Sequence, residues 1–384
     1  MKMNRHSKSR RERKHKIKGS IRFGSCNEIF LRYEAPDDLV DKDEENVKNK
    51  FFDNAMKHLI SKGVDSLPLL LNKYIPIPDN AVEVITIEEK NGNPKESRKD
   101  FLSLKKGKII EEGVKRLFYN SLLKHFRYSD LTKSTIKNRL DEILNTSESS
   151  GYVKVFDKTL KTISPLVCGL GATHIFETSI TLHHIWGVPY IPGSSLKGVC
   201  RQVAFWKLVE ERKLSKDDLE EFQKKFYGDL ITDDKEILKY QLLFGTQGFK
   251  GLLLFLDAYP EIQDGSIKEL FKLDIMNPHY SEYYGEKRDI PGDWENPVPV
   301  FFLTVKEGVS FRFVVLFDEC RWEVIKKKGI PDKEGKRRQL ADEEIKGVEE
   351  YMESEKFYED IIGQALEFYG VGSKTRLGYG LFKI

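Results

Sequence analysis

No apolar run in this 384-residue sequence approaches the roughly 20 residues that cross a bilayer as a helix. The basic N-terminus has no apolar stretch behind it of the kind a secretory leader carries. A cytoplasmic protein with no membrane partner is therefore expected. Cysteine is scarce: Cys26, Cys168, Cys200 and Cys320 lie far apart with no C-x-x-C spacing. That pattern offers neither a zinc ribbon nor a disulfide framework, and predicts reduced, mostly buried thiols with no metal and no cofactor. Net charge is also small, +3, but it is unevenly spread. Residues 1–18 hold nine Lys or Arg against Glu12 alone, a net +8, so the remainder of the chain carries −5. A polyanionic partner is then gripped by local basic loops and an arm, and not by a globally positive surface. The same arm is also what a disordered solubility tail looks like.

The composition, 39% hydrophobic and 33% charged, suffices for a sizeable core in a chain too long for one minimal domain. Three regions are expected: a basic flexible arm at 1–20, a mainly helical region at 21–150, and a core at 151–384. Residues 51–63, 109–126 and 131–144 carry apolar side chains at three and four spacing, as in Ile136, Leu140, Ile143 and Leu144, and predict helices. One strand is expected near 21–33. Residues 88–99 are polar around Asn91-Gly92-Asn93-Pro94 and read as a turn or loop. The Ser-rich break at 146–151 marks the boundary.

Beyond it, strands alternate with helices. A strand is expected within 174–184, then a helix with the stripe Leu196, Val199, Cys200, Val203 and Trp206. Strands follow at 251–259 and at 309–317, where alternation with Ser310 and Arg312 predicts half-burial. A helix at 355–369 inward on Phe357, Ile361, Ala365 and Phe368, and a last strand at 379–384, complete the order β-α-β-β-α-β with long insertions. The fold class is α+β, and that order is ferredoxin-like.

Two turns carry the chemistry. In GVGSKTRLGYG, residues 370–380, Gly370, Gly372, Gly378 and Gly380 surround Ser373, Lys374, Thr375 and Arg376. Such a backbone turns tightly and admits a large neighbour. In IPGSSLKG, residues 191–198, Pro192-Gly193 breaks the chain, Ser194 or Ser195 can cap a helix, and Lys197 enters it, with Arg201 one turn on. Cradling the phosphates of a polyanion needs amides at helix starts and turns for phosphate oxygens, plus Lys and Arg for charge, and both turns offer these. An ordinary Pro-Gly break with a Ser cap, and a flexible helix-to-strand connection, remain the plainer readings.

Through GLG (169–171), GVPYIPGSSLKG (187–198) and GVGSKTRLGYG, the sequence resembles the RAMP superfamily of CRISPR RNA-binding proteins, built on ferredoxin-like, RRM-like domains. Its single core, MNPHYSEYYG (276–285) and NPVPVFFLTV (296–305) are similar to the family of sixth subunits of the Cmr, or type III-B, effector complex. The resemblance covers about residues 160–384. It implies a subunit that binds crRNA near the 3′ end of the guide, beside a backbone RAMP subunit and other Cmr subunits. Target RNA would be met only indirectly.

Catalysis is not expected. Lys374-Thr375 suggests a phosphate-binding P-loop, but that motif needs glycine where Ser373 and Phe368 stand. RAMP subunits that cut target RNA carry an Asp in the loop after the first glycines, whereas residues 171–187 contain no Asp and only Glu177 as acid. His174, His183 and His184 are acid–base candidates. On a strand, however, His183 and His184 point to opposite faces. The alternatives are a RAMP endoribonuclease cleaving guide or target RNA, and a scaffold that needs no RNA. Tyr280, Tyr283, Tyr284, Arg288 and Trp294 suit base stacking, a subunit contact or internal packing alike.

Overall fold

A computed structural model describes residues 44–64, 66–72, 112–172, 174, 176, 178–229, 231–277, 280–286, 289–292, 299–331, 336–354 and 357–384. It also gives the backbone of strands at 12–17, 20–23, 33–34, 40–41, 76–78, 82–90 and 93–100. Contacts gather the chain into two compact units.

The first unit takes in residues 1–128, 171–179 and 266–303. Three and four spacing along Glu44–Ser61 turns Phe51, Phe52, Ala55, Met56 and Leu59 inward, and Glu112–His125 answers with Leu117, Phe118 and Leu122. The Phe118 ring lies 6.4 Å from Phe52 and 5.2 Å from Phe176. Strands run in the order Val40–Asp41, Glu12–Ile17, Val82–Lys90, Asn93–Asp100, and in a second sheet Tyr33–Glu34, Ser20–Phe23, Pro76–Pro78. The region read as mainly helical is thus mixed. Its polar stretch 88–99 belongs to an antiparallel pair that matches Lys90 with Asn93. Consecutive charges such as Glu88, Glu89 and Lys90 hid the alternation; residues 91 and 92 lie outside the described residues. Part of the basic segment, Glu12–Ile17, is itself a strand paired with Val82–Lys90.

The second unit holds residues 129–170, 180–265 and 304–384. Its sheet is antiparallel, in the order Tyr259–Pro260, Ser310–Asp318, Tyr152–Thr162, Phe382–Lys383, with Leu253–Phe255 paired further along Ser310–Asp318. Helix Gly193–Glu211 follows the first of these strands in sequence, and a helix over 357–369 precedes the last. The first strand is therefore Tyr152–Thr162, and the described residues of the expected strand at 174–184 are irregular chain. Two features misled the pattern. Tyr152–Thr162 buries only Phe156, Leu160 and Thr162, and its register shifts opposite Val315/Leu316, which breaks a period of two. In the 180–188 stretch the amides bond locally, Thr181 N–H to the Cys168 carbonyl at 2.7 Å and His183 N–H to Val188 at 2.8 Å.

The strand expected over 251–259 is broken, because Ala258 turns to exchange both backbone bonds with Ile191 at 2.9 Å. Ser310–Asp318, expected to be half-buried, is buried on both faces from Phe313 onward. Helix Asp130–Ser149 lays Leu140 and Leu144 on Val314 and Leu316, while Phe382 meets Phe311 and Phe313 edge-on at 5.9 and 5.0 Å. Arg312 fixes that helix. It donates twice to Asp157 on the neighbouring strand and once to Asp141 on the helix, each at 2.9 Å, and its hydrogen bonds hold the Asp157 carboxyl below the usual range.

The 357–369 helix buries Phe357, Ile361 and Ala365 as expected, but Phe368 is 75% exposed. Its turns are of the wider i→i+5 type, so the inner face advances to Ile362 and Leu366. On Gly193–Glu211 the inward ring is likewise Phe205, not Trp206. Cys168 and Cys200 are buried free thiols; Cys320 is exposed, at the start of Glu319–Lys328.

The last strand has two residues, yet the chain reaches it along a fixed path. Gly380 N–H donates to the Pro165 carbonyl at 2.7 Å, Leu381 N–H to Ser164 Oγ at 2.9 Å, and Val371 N–H to the Gly380 carbonyl at 3.0 Å. Gly380, at φ 76°, comes so near Val371 that an added Cβ would lie 1.9 Å from its carbonyl oxygen. Gly378 is also left-handed, at φ 83°, but has open space around it. Gly378→Ala is therefore expected to cost about 1–2 kcal/mol, from backbone strain alone. Gly380→Ala adds a backbone collision and should cost about 3 kcal/mol or more. Urea unfolding of the two variants checks this; equal losses would contradict it.

Candidate nucleic-acid interface

The strip 165–168 bonds both to the C-terminal loop and to the chain that leads to the 191–198 turn. Val167 offers its carbonyl to Ser373 N–H at 2.7 Å, and the next carbonyl, Cys168, takes Thr181 N–H. The chain then runs from Thr181 to the 191–198 turn, which is tied to Ala258 through Ile191. Burial pushes the Cys168 thiol up to about 12, which makes it an inert packing group.

In the first turn, Pro192 and not a serine stands at the helix cap, and no side chain of the turn caps it. The amide that an anion was expected to meet is already engaged: Gly193 N–H donates to Asp257 Oδ1 at 2.7 Å. Asp257 thus caps the helix from across the sheet edge, matching a carboxylate to the positive end of the helix. Gly193 is buried, and a Cβ there would stand 2.1 Å from the Phe255 carbonyl oxygen, so glycine is required for the helix to start against the edge strand. Ser195 N–H donates to Pro192 at 2.8 Å, while Ser194 is exposed. Lys197 and Arg201 are half-buried, and burial lowers the pKa of each. Arg201 turns inward. Its guanidinium lies 4.8 Å from the Tyr227 ring centre and donates to the Phe226 carbonyl at 3.3 Å.

The C-terminal loop also spends much of its backbone on itself. Beyond the bonds of Val371, Ser373 and Gly380, Leu377 N–H donates to Lys374 and Gly378 N–H to Thr375, both at 2.9 Å. Gly370 and Gly372 stand close against the carbonyls of Tyr379 and Val167. What the loop presents is side chains. Lys374 occupies the left-handed region at φ 62°, uncommon for a residue with a side chain, and its ammonium lies 6.0 Å from the Tyr379 ring centre. Thr375–Leu377 forms one 3-10 turn on which Arg376 and Leu377 are exposed.

One of the candidate acid–base groups, His174, is occupied elsewhere. His174, in the first unit, uses Nε2 on the Leu71 carbonyl and accepts Phe176 N–H at Nδ1, both at 3.1 Å. Burial holds its pKa below the usual value. His183 and His184 do not point apart, because their chain is not a strand; their rings stack at 4.8 Å. Among the described residues no three His, Cys, Asp or Glu side chains gather as a metal-ligand set, and no helix is long and apolar enough to cross a membrane. Tyr283 and Tyr284 are exposed, with rings 5.5 Å apart; Glu177, Arg288 and Trp294 lie outside the described residues. Asp257, Trp186, Tyr190 and Tyr259 were not singled out from sequence. They sit in irregular chain or at a strand break, where no periodicity marks them.

Comparison with known proteins identifies the family. A Cmr6 subunit of the CRISPR system of Pyrococcus furiosus is 34% identical over 259 residues, 57% of this chain and 65% of that protein. A Cmr6 subunit of Saccharolobus solfataricus is 27% identical over 252 residues, 65% of this chain and 68% of that protein. The chain thus spans just under two thirds of the first relative's length. Among solved structures, a type III-B Cmr-beta complex bound to cognate target RNA matches at 22% identity and a TM-score of 0.43, over 74% of this chain and 77% of the other. The crystal structure of Cmr6 from Pyrococcus furiosus matches at 32% identity and a TM-score of 0.35, over 60% and 97%. The family model of the RAMP superfamily matches residues 159–383, a span that contains both glycine turns and, of the sheet, everything but residues 152–158 of Tyr152–Thr162, and the chain belongs to that superfamily.

Proposed function

We propose that this chain is a non-catalytic, crRNA-binding subunit of a type III-B CRISPR (Cmr) interference complex, acting in the cytoplasm near the 3′ end of the guide. Its partners are crRNA, a backbone RAMP subunit and other Cmr subunits, with target RNA met indirectly through the guide. The core reads as ferredoxin-like, a reading supported by antiparallel pairing that sets the last strand beside the first. The arm at 1–20 and the region at 21–150 are elaborations, the arm adding a sequence-blind electrostatic tether.

The observation that carries this reading is the C-terminal loop. Close backbone packing fixes its path, and the 3-10 turn carries Arg376 beside the left-handed Lys374. Because so many amides are spent internally, phosphate recognition falls mainly to Lys374 and Arg376, with Lys197 and Ser194 on the 191–198 turn. Gly193, Ser195, Gly370, Gly372, Ser373, Thr375, Gly378 and Gly380 shape the surface, and Arg201 steadies the helix behind it. The plain reading of the loop as a flexible connection is disfavoured by the number of its internal bonds.

Two measurements check the reading. Replacing Lys374 and Arg376 together by Ala should weaken RNA binding and lower the log–log salt slope by about one to two units, at about 0.7 per phosphate lost on a single strand. An unchanged slope would refute their assignment. Glu177→Gln in the assembled complex should leave target cleavage within a few-fold, whereas loss of a general acid or base costs about 10²–10⁴-fold. Disappearance of one cleavage product, with RNA binding intact, would make the chain a nuclease.

A further inference from the structure

Three rings stack in the irregular chain before the 191–198 turn. His184 and His183 lie 4.8 Å apart at 26°, and His183 and Trp186 lie 4.1 Å apart at 17°. Tyr190 and Tyr259, themselves stacked at 5.8 Å and 20°, close one side, with Tyr259 edge-on to His183 at 5.7 Å and to Trp186 at 5.3 Å. Such offset and edge-on contacts suit ring quadrupoles.

The stack is held before any ligand arrives. His183 N–H donates to Val188 at 2.8 Å, and Gly187 N–H donates to the His183 carbonyl at 2.7 Å. His183 Nδ1 accepts from the amides of Ile185 and Trp186, both at 3.3 Å, which assigns its proton to Nε2. Burial, with His184 beside it, holds the His183 pKa below the usual value, so the middle ring is neutral at physiological pH. His183 and Trp186 are half-buried while His184 is exposed, so the stack runs outward to an exposed ring.

An aromatic cluster that serves only as core ends inside the protein. This one ends in solvent, on the frame that carries the candidate phosphate turn. Ile191 and Ala258 join the two segments, and Asp257, which caps the helix at Gly193, stands two residues before Tyr259. A flat heteroaromatic face of one ring's width fits a single base, whereas a protein contact of standard size covers roughly 800 Å² on each partner. Base stacking on aromatic side chains is also sequence-tolerant, as a guide-binding subunit requires.

We infer that His184, backed by His183 and Trp186, is a stacking platform for one unpaired RNA base; the inference rests on the RNA-binding reading above. The test uses the full chain with a uridine oligomer and an abasic oligomer of the same length. The wild-type protein binds the base-bearing oligomer about tenfold more tightly, His184→Ala removes that preference, and His184→Phe restores it, with the salt slope unchanged throughout. If wild type and His184→Ala bind both oligomers alike, the platform is refuted while RNA binding stands. If the wild-type protein binds neither oligomer at any salt, both readings fall. If His184→Ala keeps its RNA preference but no longer joins the other subunits, the ring face is a protein contact and the inference is overturned.

Discussion

The second unit depends on one close backbone approach. Gly380 rests against the carbonyl of Val371, and from that contact the chain runs alongside Pro165 and Ser164 to lay Phe382–Lys383 beside Tyr152–Thr162. Two residues of strand could not order a chain end alone, since a short ladder offers few hydrogen bonds against the entropy of fixing the segment. The loop supplies the missing bonds. It also carries Phe382 to the rings of Phe311 and Phe313, so the same constraint closes one face of the core and sets the backbone from which Lys374 and Arg376 project.

That economy has a consequence for recognition. A helix start and a glycine loop usually advertise amides to anions. In this chain Asp257 takes the Gly193 amide, and the loop's own carbonyls take those of Leu377 and Gly378. The glycines serve packing first and ligand approach second. In the proposed reading, charge recognition rests on a few side chains above an internally bonded backbone, consistent with a body whose net charge beyond the arm is −5. Arg201 and Lys197 show the limit of reading charge from sequence: both are half-buried, and Arg201 faces aromatic rings.

Much of this was legible beforehand, for identifiable reasons. Alternation marked Ser310–Asp318, three and four spacing marked Gly193–Glu211 and Asp130–Ser149, and glycine spacing marked the loop. What escaped were departures from regular period. The register shift hid Tyr152–Thr162, the wider turns of the 357–369 helix moved Phe368 outward, and the break at Ala258 divided an apparently continuous strand. The Asp257 cap joins residues 64 positions apart, a pairing no local pattern encodes. The ring stack escaped because the neighbouring histidines were assigned to a strand, where they would have faced apart.

The proposed function puts the loop at 370–380 on guide RNA near its 3′ end within an assembled complex. Photo-cross-linking tests it most directly, with 4-thiouridine placed at the 3′ end of the guide and the joined peptides identified by mass spectrometry. Cross-links are expected to peptides of the second unit, including the one that contains Lys374 and Arg376. Cross-links confined to other subunits, in a complex that contains this chain, would contradict it.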